Sequence, residues 1–305
     1  MKWPALQRVV SMLSVTPDLR PFEIEMNGYR IGEWSPFFAQ DFEPGGVEWR
    51  VQDQEAPDRD GVMFGRDYAN PNPVVLSLVS MADTTRQVRE DLRELAAAWR
   101  WTERRDTPGD YTYIAWESAG EVAVMYGRPR KFVPEISGGA LHQGGVVAAL
   151  EFQPLSPLIF TGRVESHSLL IRPLDPPGLL FPAESPFLFQ GGGQPRQGQL
   201  TVSGYEPTPF EVHVKGPISD PKVWSTVGGW EIQVTGHVAY DQTLIVDTLA
   251  NTARVGGSSV AHRLTRRSNL NARLKPGVQE FLFSGRDETQ TATATIRWMN
   301  AHTGY

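Results

Sequence analysis

Apolar and polar positions alternate with a period of two along most of this chain, the spacing that sets one face of a β-strand on a core. Phe22-Glu-Ile-Glu-Met26 and Tyr29-Arg-Ile31 flank Asn27-Gly28, and Asn-Gly between alternating runs predicts strand, tight turn, strand. Val47-Glu-Trp-Arg-Val51 alternates again, the polar stretch 53–61 reads as a surface loop, and Pro73-Val-Val-Leu-Ser-Leu-Val79 reads as a buried strand. A second hairpin is expected from residues 111–116 and 121–126 about Ser118-Ala-Gly120. Arg128-Pro-Arg-Lys131 then reads as a solvated strand end, and residues 146–152 as the strand that closes a first domain. In the last third, residues 210–214, 230–234, 244–246, 279–283 and 291–298 each put apolar or β-favouring side chains on one face. Their Gly- and Pro-bearing turns recur at roughly the 8–12-residue spacing of an all-β sandwich.

One segment keeps a helical period instead. Between residues 84 and 101, Val88, Leu92, Leu95 and Trp99 recur at spacings of four, three and four, a single face of an α-helix. Asp83 or Thr84 can cap its start, and Ala96-Ala-Ala98 favours helix intrinsically. Arg86, Arg89, Glu90, Arg93 and Glu94 supply a solvated face, so an amphipathic helix packed on a sheet is expected rather than one that reads nucleic acid.

With 305 residues the chain exceeds one average domain, and 24 Pro with 29 Gly suit short strands and turns. The expected division is a first domain over 1–155, a Pro/Gly-rich extended connection over 156–194 and a β-sandwich over 195–305. The connection carries apolar triplets, Leu179-Leu-Phe181 and Phe187-Leu-Phe189, that need cover from a domain or a neighbouring subunit. A net charge of −6 argues against general affinity for nucleic-acid backbone. Cysteine is absent, which removes disulfides, cysteine zinc sites and cysteine nucleophiles. Arg8 interrupts the apolar N-terminal run, so no signal peptide is expected. Nor does any run approach the roughly 18 apolar residues of a membrane-spanning helix, and no membrane insertion is expected.

Candidate chemistry does not rise above background. The six histidines show no metal-binding spacing, although His213 and His237, in or beside predicted strands, can be drawn facing one another across a sheet. Asp58-Arg-Asp60 lacks the further ligands of a calcium loop. Glu211, Glu231, Asp241 and Asp247 can be imagined as an acid/base pair, but the separation that matters is spatial. No catalytic, cofactor or metal site is therefore assigned. Trp49, Trp99, Trp116 and Trp298 fall at apolar positions of predicted elements and are assigned to core. Trp34, Phe37 and Phe38, in a Pro-broken stretch, are candidate subunit contacts together with Phe181, Phe187 and Phe189.

The order of signals resembles the distal tail proteins of long non-contractile-tailed bacteriophages, minor tail proteins of the tail tip. The residues that carry it are Gly178-Leu-Leu-Phe-Pro182, Pro209-Phe-Glu-Val-His-Val-Lys-Gly216, Asp220-Pro221, Leu244-Ile-Val-Asp-Thr248, Leu274-Lys-Pro-Gly277 and the Ala/Thr alternation ending in Trp298. Arg59-Asp-Gly-Val-Met-Phe-Gly65 adds a similar Gly-rich segment near the N-terminus. Gln279 departs from the family's usual Asn, and residues 16–30 are only loosely similar.

The resemblance implies a mainly β chain: a tail-tube-like β-barrel or sandwich with one helix, then a galectin-like β-sandwich. It implies a structural role without enzymatic activity, in a hexameric ring that joins the tail tube to the tip or baseplate hub. The ring would leave a channel for the tape-measure protein and for DNA in transit. Partners would be further copies of the chain, the tube, tape-measure and hub proteins, and host surface glycans; the location would be the virion tail, assembled in the host cytoplasm. The first domain is expected to line the channel, with a mainly negative lumen from which Arg86, Arg89 and Arg93 are absent. Two other readings stand beside this one: a carbohydrate-binding module of a host-recognition apparatus, and a tail-associated cell-wall hydrolase.

Overall fold

The computed structural model describes residue 13 and residues 17–100, 110–136, 145–171 and 198–304. The chain divides into two compact units, Met1–Arg163 with Ala301–Tyr305, and Val164–Asn300. The second unit thus starts inside the segment expected to be an extended connection.

In the first unit, β1 (Ile24–Met26) and β2 (Tyr29–Ile31) form the expected hairpin, with Met26 opposite Tyr29 and both Asn27 and Gly28 at positive φ. That is the backbone a two-residue turn of matching twist requires. β3 (Phe38–Glu43) follows, then β4 (Val47–Arg50), β5 (Gln54–Glu55), β6 (Val62–Met63) and β7 (Tyr68–Pro71). Next come β8 (Val74–Met81), the helix α1 (Thr85–Arg100), β9 (Thr112–Ser118), β10 (Glu121–Glu135) and β11 (Gly145–Pro154), and β12 (Ile159–Leu170) starts in this unit and ends in the second.

β10 organises this unit. Its first half pairs with β9, Tyr126 opposite Tyr113, and its second half with β11, Lys131 opposite Glu151. The register shifts between Pro129 and Lys131, and such a bulge bends a strand and raises its twist. Arg128-Pro-Arg-Lys131 is therefore the corner of a long strand rather than the strand end expected from sequence. Beyond the corner, β11 pairs with β8 and β8 with β3. α1 sets Val88, Leu92, Leu95, Ala98 and Trp99 into one core with Ile24, Ile31, Leu76, Leu78, Trp116 and Phe152. Thr84 is its cap: the Thr84 hydroxyl accepts from Gln87 N–H at 3.2 Å.

β12 shows why the proline argument overreached. Prolines stand at 157 and 173, and the stretch between them is free of proline and forms a 12-residue strand. Leu179-Leu-Phe181 and Phe187-Leu-Phe189 lie outside the described residues.

The second unit is a β-sandwich. Its strands are β13 (Gly198–Val202), β14 (Phe210–Lys215), β15 (Ile218–Ser225), β16 (Trp230–Gln233), β17 (His237–Val238), β18 (Thr243–Asp247), β19 (Thr252–Val255), β20 (Ser258–Ser259), β21 (Gly277–Arg286) and β22 (Thr293–His302). One layer runs β22-β14-β18-β19-β20, and the other runs β13-β21-β15-β16 with β17 beside β15. Inward side chains alternate along each strand, among them Phe210, Val212 and Val214 on β14 and Phe281 and Phe283 on β21, and together they fill a single core. β15 went unread because Asp220-Pro221 breaks the pattern; the register shift between Ser219 and Lys222 accommodates it. Among the described residues the architecture is mainly β, with one α-helix.

Candidate functional site

The largest departure from the sequence reading lies between β3 and β8. β4 pairs with β7, Val47 opposite Pro71 and Arg50 opposite Tyr68, and β5 pairs with β6, Gln54 opposite Met63. Residues 47–71 are thus one long hairpin, an arm, rather than a strand followed by a loop. Its root is set by Asn72 N–H donating to Gly46 O at 2.9 Å and by Gln153 Nε2 donating to Pro71 O at 3.3 Å. Farther out, Gly65 N–H donates to Asp53 Oδ1 at 3.0 Å, and Ala56 N–H donates to Gly61 O at 3.1 Å across the end. Gly65 is obligatory here, since a Cβ would stand 2.1 Å from Gln52 O.

Among the described residues nothing forms a second layer on the arm. Trp49 is 61% exposed and Phe64 87%, and Val51, Val62, Met63 and Tyr68 are exposed too. The guanidinium groups of Arg50 and Arg66 stack on the Tyr68 ring, 5.0 and 5.3 Å from its centroid, which orders the middle of the hairpin. Trp49 is therefore corrected from core to surface: its alternation is genuine, but among the described residues no element covers its face. An isolated two-stranded hairpin is marginally stable in water. A run of exposed apolar side chains on such a hairpin is a candidate contact surface.

The other expected contacts divide. Phe37 is fully buried and cannot serve, because Gly32 N–H donates to Phe37 O at 2.9 Å and the resulting turn folds the ring into the core. Trp34 is 75% exposed, with the Arg20 guanidinium 5.8 Å from its ring, and Phe38 is also exposed. Phe181, Phe187 and Phe189 fall outside the described residues. Phe22, at positive φ and 85% exposed, escaped the sequence reading; its alternation with Ile24 pointed inward.

The polar candidates hold structure together. His213 and His237 do not face one another: they lie on different layers, His213 beside Glu211 (2.7 Å) and His237 beside Ser219 (3.1 Å). Glu211 and Asp247 are register partners and both are buried. Asp247 Oδ1 accepts from Leu249 N–H at 2.7 Å and Ala250 N–H at 3.0 Å, which fixes a turn. Burial holds the Arg273 guanidinium below its ordinary pKa, opposed by the charge of Asp247. Glu231 pairs with Lys222 at 2.8 Å. Among the described residues no group of three or more His, Cys, Asp or Glu is placed to hold a metal ion.

A cleft of about 520 Å³ opens in the second unit, lined by residues that include Pro217, His237, Arg286, Asp287 and Thr289. Asp220 beside it is held below the usual carboxylate range, first by Gly236 N–H and then by the Arg286 guanidinium. Burial would raise Asp287, but hydrogen bonds from Thr289, Ala292 and Thr291 outweigh it and bring it down. Both carboxylates are engaged in tying loops to strands.

No protein-family model matches the chain, and no curated protein matches it by sequence. Solved structures do. The SPP1 Dit protein, described as a paradigm of the hub adsorption apparatus in phages that infect Gram-positive bacteria, aligns with a TM-score of 0.59 at 13% identity. The alignment covers 93% of this chain and 100% of that one. A chain of the phage P2 baseplate, in its activated conformation with calcium, aligns with a TM-score of 0.54 at 7% identity over 89% and 93% of the two chains. The strontium form of the p2 baseplate gives 0.52 at 8% identity, over 87% and 91%. At these identities it is the fold that is shared, nearly end to end. This chain has the fold of a phage distal tail protein of the hub type.

Proposed function

We propose that this chain is a structural subunit of a phage tail tip, a distal tail protein that assembles with copies of itself into a ring between tail tube and baseplate hub. The observation that carries the reading is the arm: a 25-residue hairpin with exposed Trp49, Met63 and Phe64 and no covering layer among the described residues, on a fold shared nearly end to end with hub and baseplate proteins. Such a hairpin gains its missing layer from a neighbour, and a repeated contact between two different patches closes a ring when its rotation permits. Stable association needs about 800 Å² per partner, which an arm of this size together with Trp34 and Phe38 can supply. Six copies, a channel passed by tape-measure protein and DNA, and a location in the virion tail belong to the same reading. The carboxylates that a hydrolase would need are engaged by His213, Lys222 and backbone amides, which favours structure over catalysis.

The test is assembly. Electron microscopy and light scattering of the full chain are expected to give closed rings of one size. A monodisperse monomer at high concentration would overturn the reading.

A further inference from the structure

The exposed side of α1 carries four arginines and two glutamates. Arg86, Arg89, Arg93 and Arg100 fall on one face at spacings of three, four and seven, away from the buried Val88, Leu92, Leu95 and Trp99, and with the exposed Glu90 and Glu94 along one side they form a mainly basic ridge about 21 Å long. Arg86 pairs with Glu90 at 3.1 Å; among the described residues Arg89 and Arg93 have no ion-pair partner. The first turn holds no acidic residue. Cations near the positive end of a helix and like charges three or four apart both oppose helix formation. Arg89 and Arg93, exposed and four apart, add repulsion to the helix and nothing to the core, and their charge is available to an anionic partner.

The arm is such a partner. Residues 47–71 carry six carboxylates against three arginines, and around its end Asp53, Glu55, Asp58 and Asp60 surround a single Arg59. Two of the three arginines are occupied on Tyr68. One limb of the hairpin, 47–57, spans about 36 Å when extended, more than the width of a small domain. It is long enough to reach across a neighbouring copy.

We propose that the acidic arm of one copy lies along the Arg86–Arg89–Arg93–Arg100 ridge of the next. Glu55, Asp58 and Asp60 meet the arginines, and Phe64 and Met63 pack where Ala96 and Ala97 leave the ridge low. This rests on the ring reading and deepens it: the contact is head-to-tail, so it closes rings, and it takes the arginines out of any channel that DNA would cross.

Because the chain contains no cysteine, single cysteines report the contact cleanly. Full-length Asp60→Cys and Arg93→Cys variants, mixed under mild oxidation, are expected to give covalent heterodimers. Asp60→Cys mixed with Tyr205→Cys, which is 88% exposed on the second unit, serves as the background. The double reversal Arg89→Glu/Arg93→Glu is expected to raise the concentration needed for assembly at least tenfold, and mixing with Asp58→Arg/Asp60→Arg chains is expected to restore it. Rings that form normally with cross-linking no higher than background would overturn the docking and leave the ring reading standing. Duplex DNA binding that is lost in the double reversal while assembly is unchanged would assign the ridge to nucleic acid instead and refute the proposal. A wild-type chain that never assembles refutes both.

Discussion

Thr248→Val tests the physical meaning of the Asp-Thr pair that ends β18. The Thr248 hydroxyl accepts from Phe210 N–H at 2.8 Å and donates to Phe210 O at 2.9 Å, and Thr248 is fully buried. Valine keeps the shape and removes both bonds. The carbonyl of Phe210 retains Thr248 N–H at 3.1 Å, so it stays satisfied, but the Phe210 amide is left as a buried donor without an acceptor. An orphaned buried donor costs about 1–3 kcal/mol, and the second lost bond adds up to about 1 kcal/mol. The expected destabilisation is about 2–3 kcal/mol. With a urea slope of about 2 kcal/mol/M, the midpoint of the second unit falls by about 1–1.5 M. Its transition can be followed by the fluorescence of Trp230 and Trp298, both buried in that unit. Thr248→Ser is the control: it keeps the hydroxyl and loses one methyl, worth about 1 kcal/mol. If valine proves no more destabilising than serine, the hydroxyl bridge does not hold β14 to the end of β18 and the reasoning fails.

Three further outcomes follow from the same contacts. Trp49→Ser with Phe64→Ser is expected to weaken assembly by more than about 30-fold, since truncating a central aromatic anchor costs 2 kcal/mol or more, while the melting temperature of the unassembled chain stays within a degree or two; light scattering and calorimetry read the two quantities separately. Leu95→Ala, at a fully buried helix position, should cost about 2–5 kcal/mol in the unfolding of the first unit, and a value under 1 kcal/mol would mean α1 is not docked as described. Asp220 has a carboxyl held low in the folded chain, so the stability it contributes is present above the unfolded value near pH 4 and is lost as pH falls through the lower folded value. Asp220→Asn should flatten the acid limb of the stability profile, and an unchanged limb would show that the Gly236 and Arg286 contacts are not held in solution.

Elements with local periodicity were legible without coordinates. The Asn27-Gly28 hairpin needs positive φ at two positions, and few residue pairs other than Asn-Gly provide it so readily. Val88, Leu92, Leu95 and Trp99 define a helix face by spacing alone, and all four are buried. The Asp247-Thr248 and Leu274-Lys-Pro-Gly277 signals of the family resemblance sit where a turn is pinned and where β21 begins at positive φ on Gly277. Elsewhere local rules misled. Proline density hid the proline-free β12, and Pro221 hid β15 because the bulge that tolerates it leaves no pattern in sequence.

The candidate site was the least legible part. Val47-Glu-Trp-Arg-Val51 and Phe210-Glu-Val-His-Val214 alternate alike in sequence, yet Trp49 stands in solvent and Val212 in a core. A period of two says that a strand has two unlike faces; it cannot say whether anything lies against the apolar one. That depends on pairing between residues distant in the chain, Val47 with Pro71 and Val212 with Val246 and Ile296, and on whether a second layer follows. The sequence by itself determined the strand-rich composition, one amphipathic helix, the tight turns and the absence of cysteine chemistry, because each is a property of residue type and near-neighbour spacing. Tertiary structure alone decided which faces are covered, that among the described residues the arm 47–71 has no core of its own, and that Arg89 and Arg93 of α1 stand exposed beside a buried helix face, because burial is a relation between segments and no segment encodes its own cover.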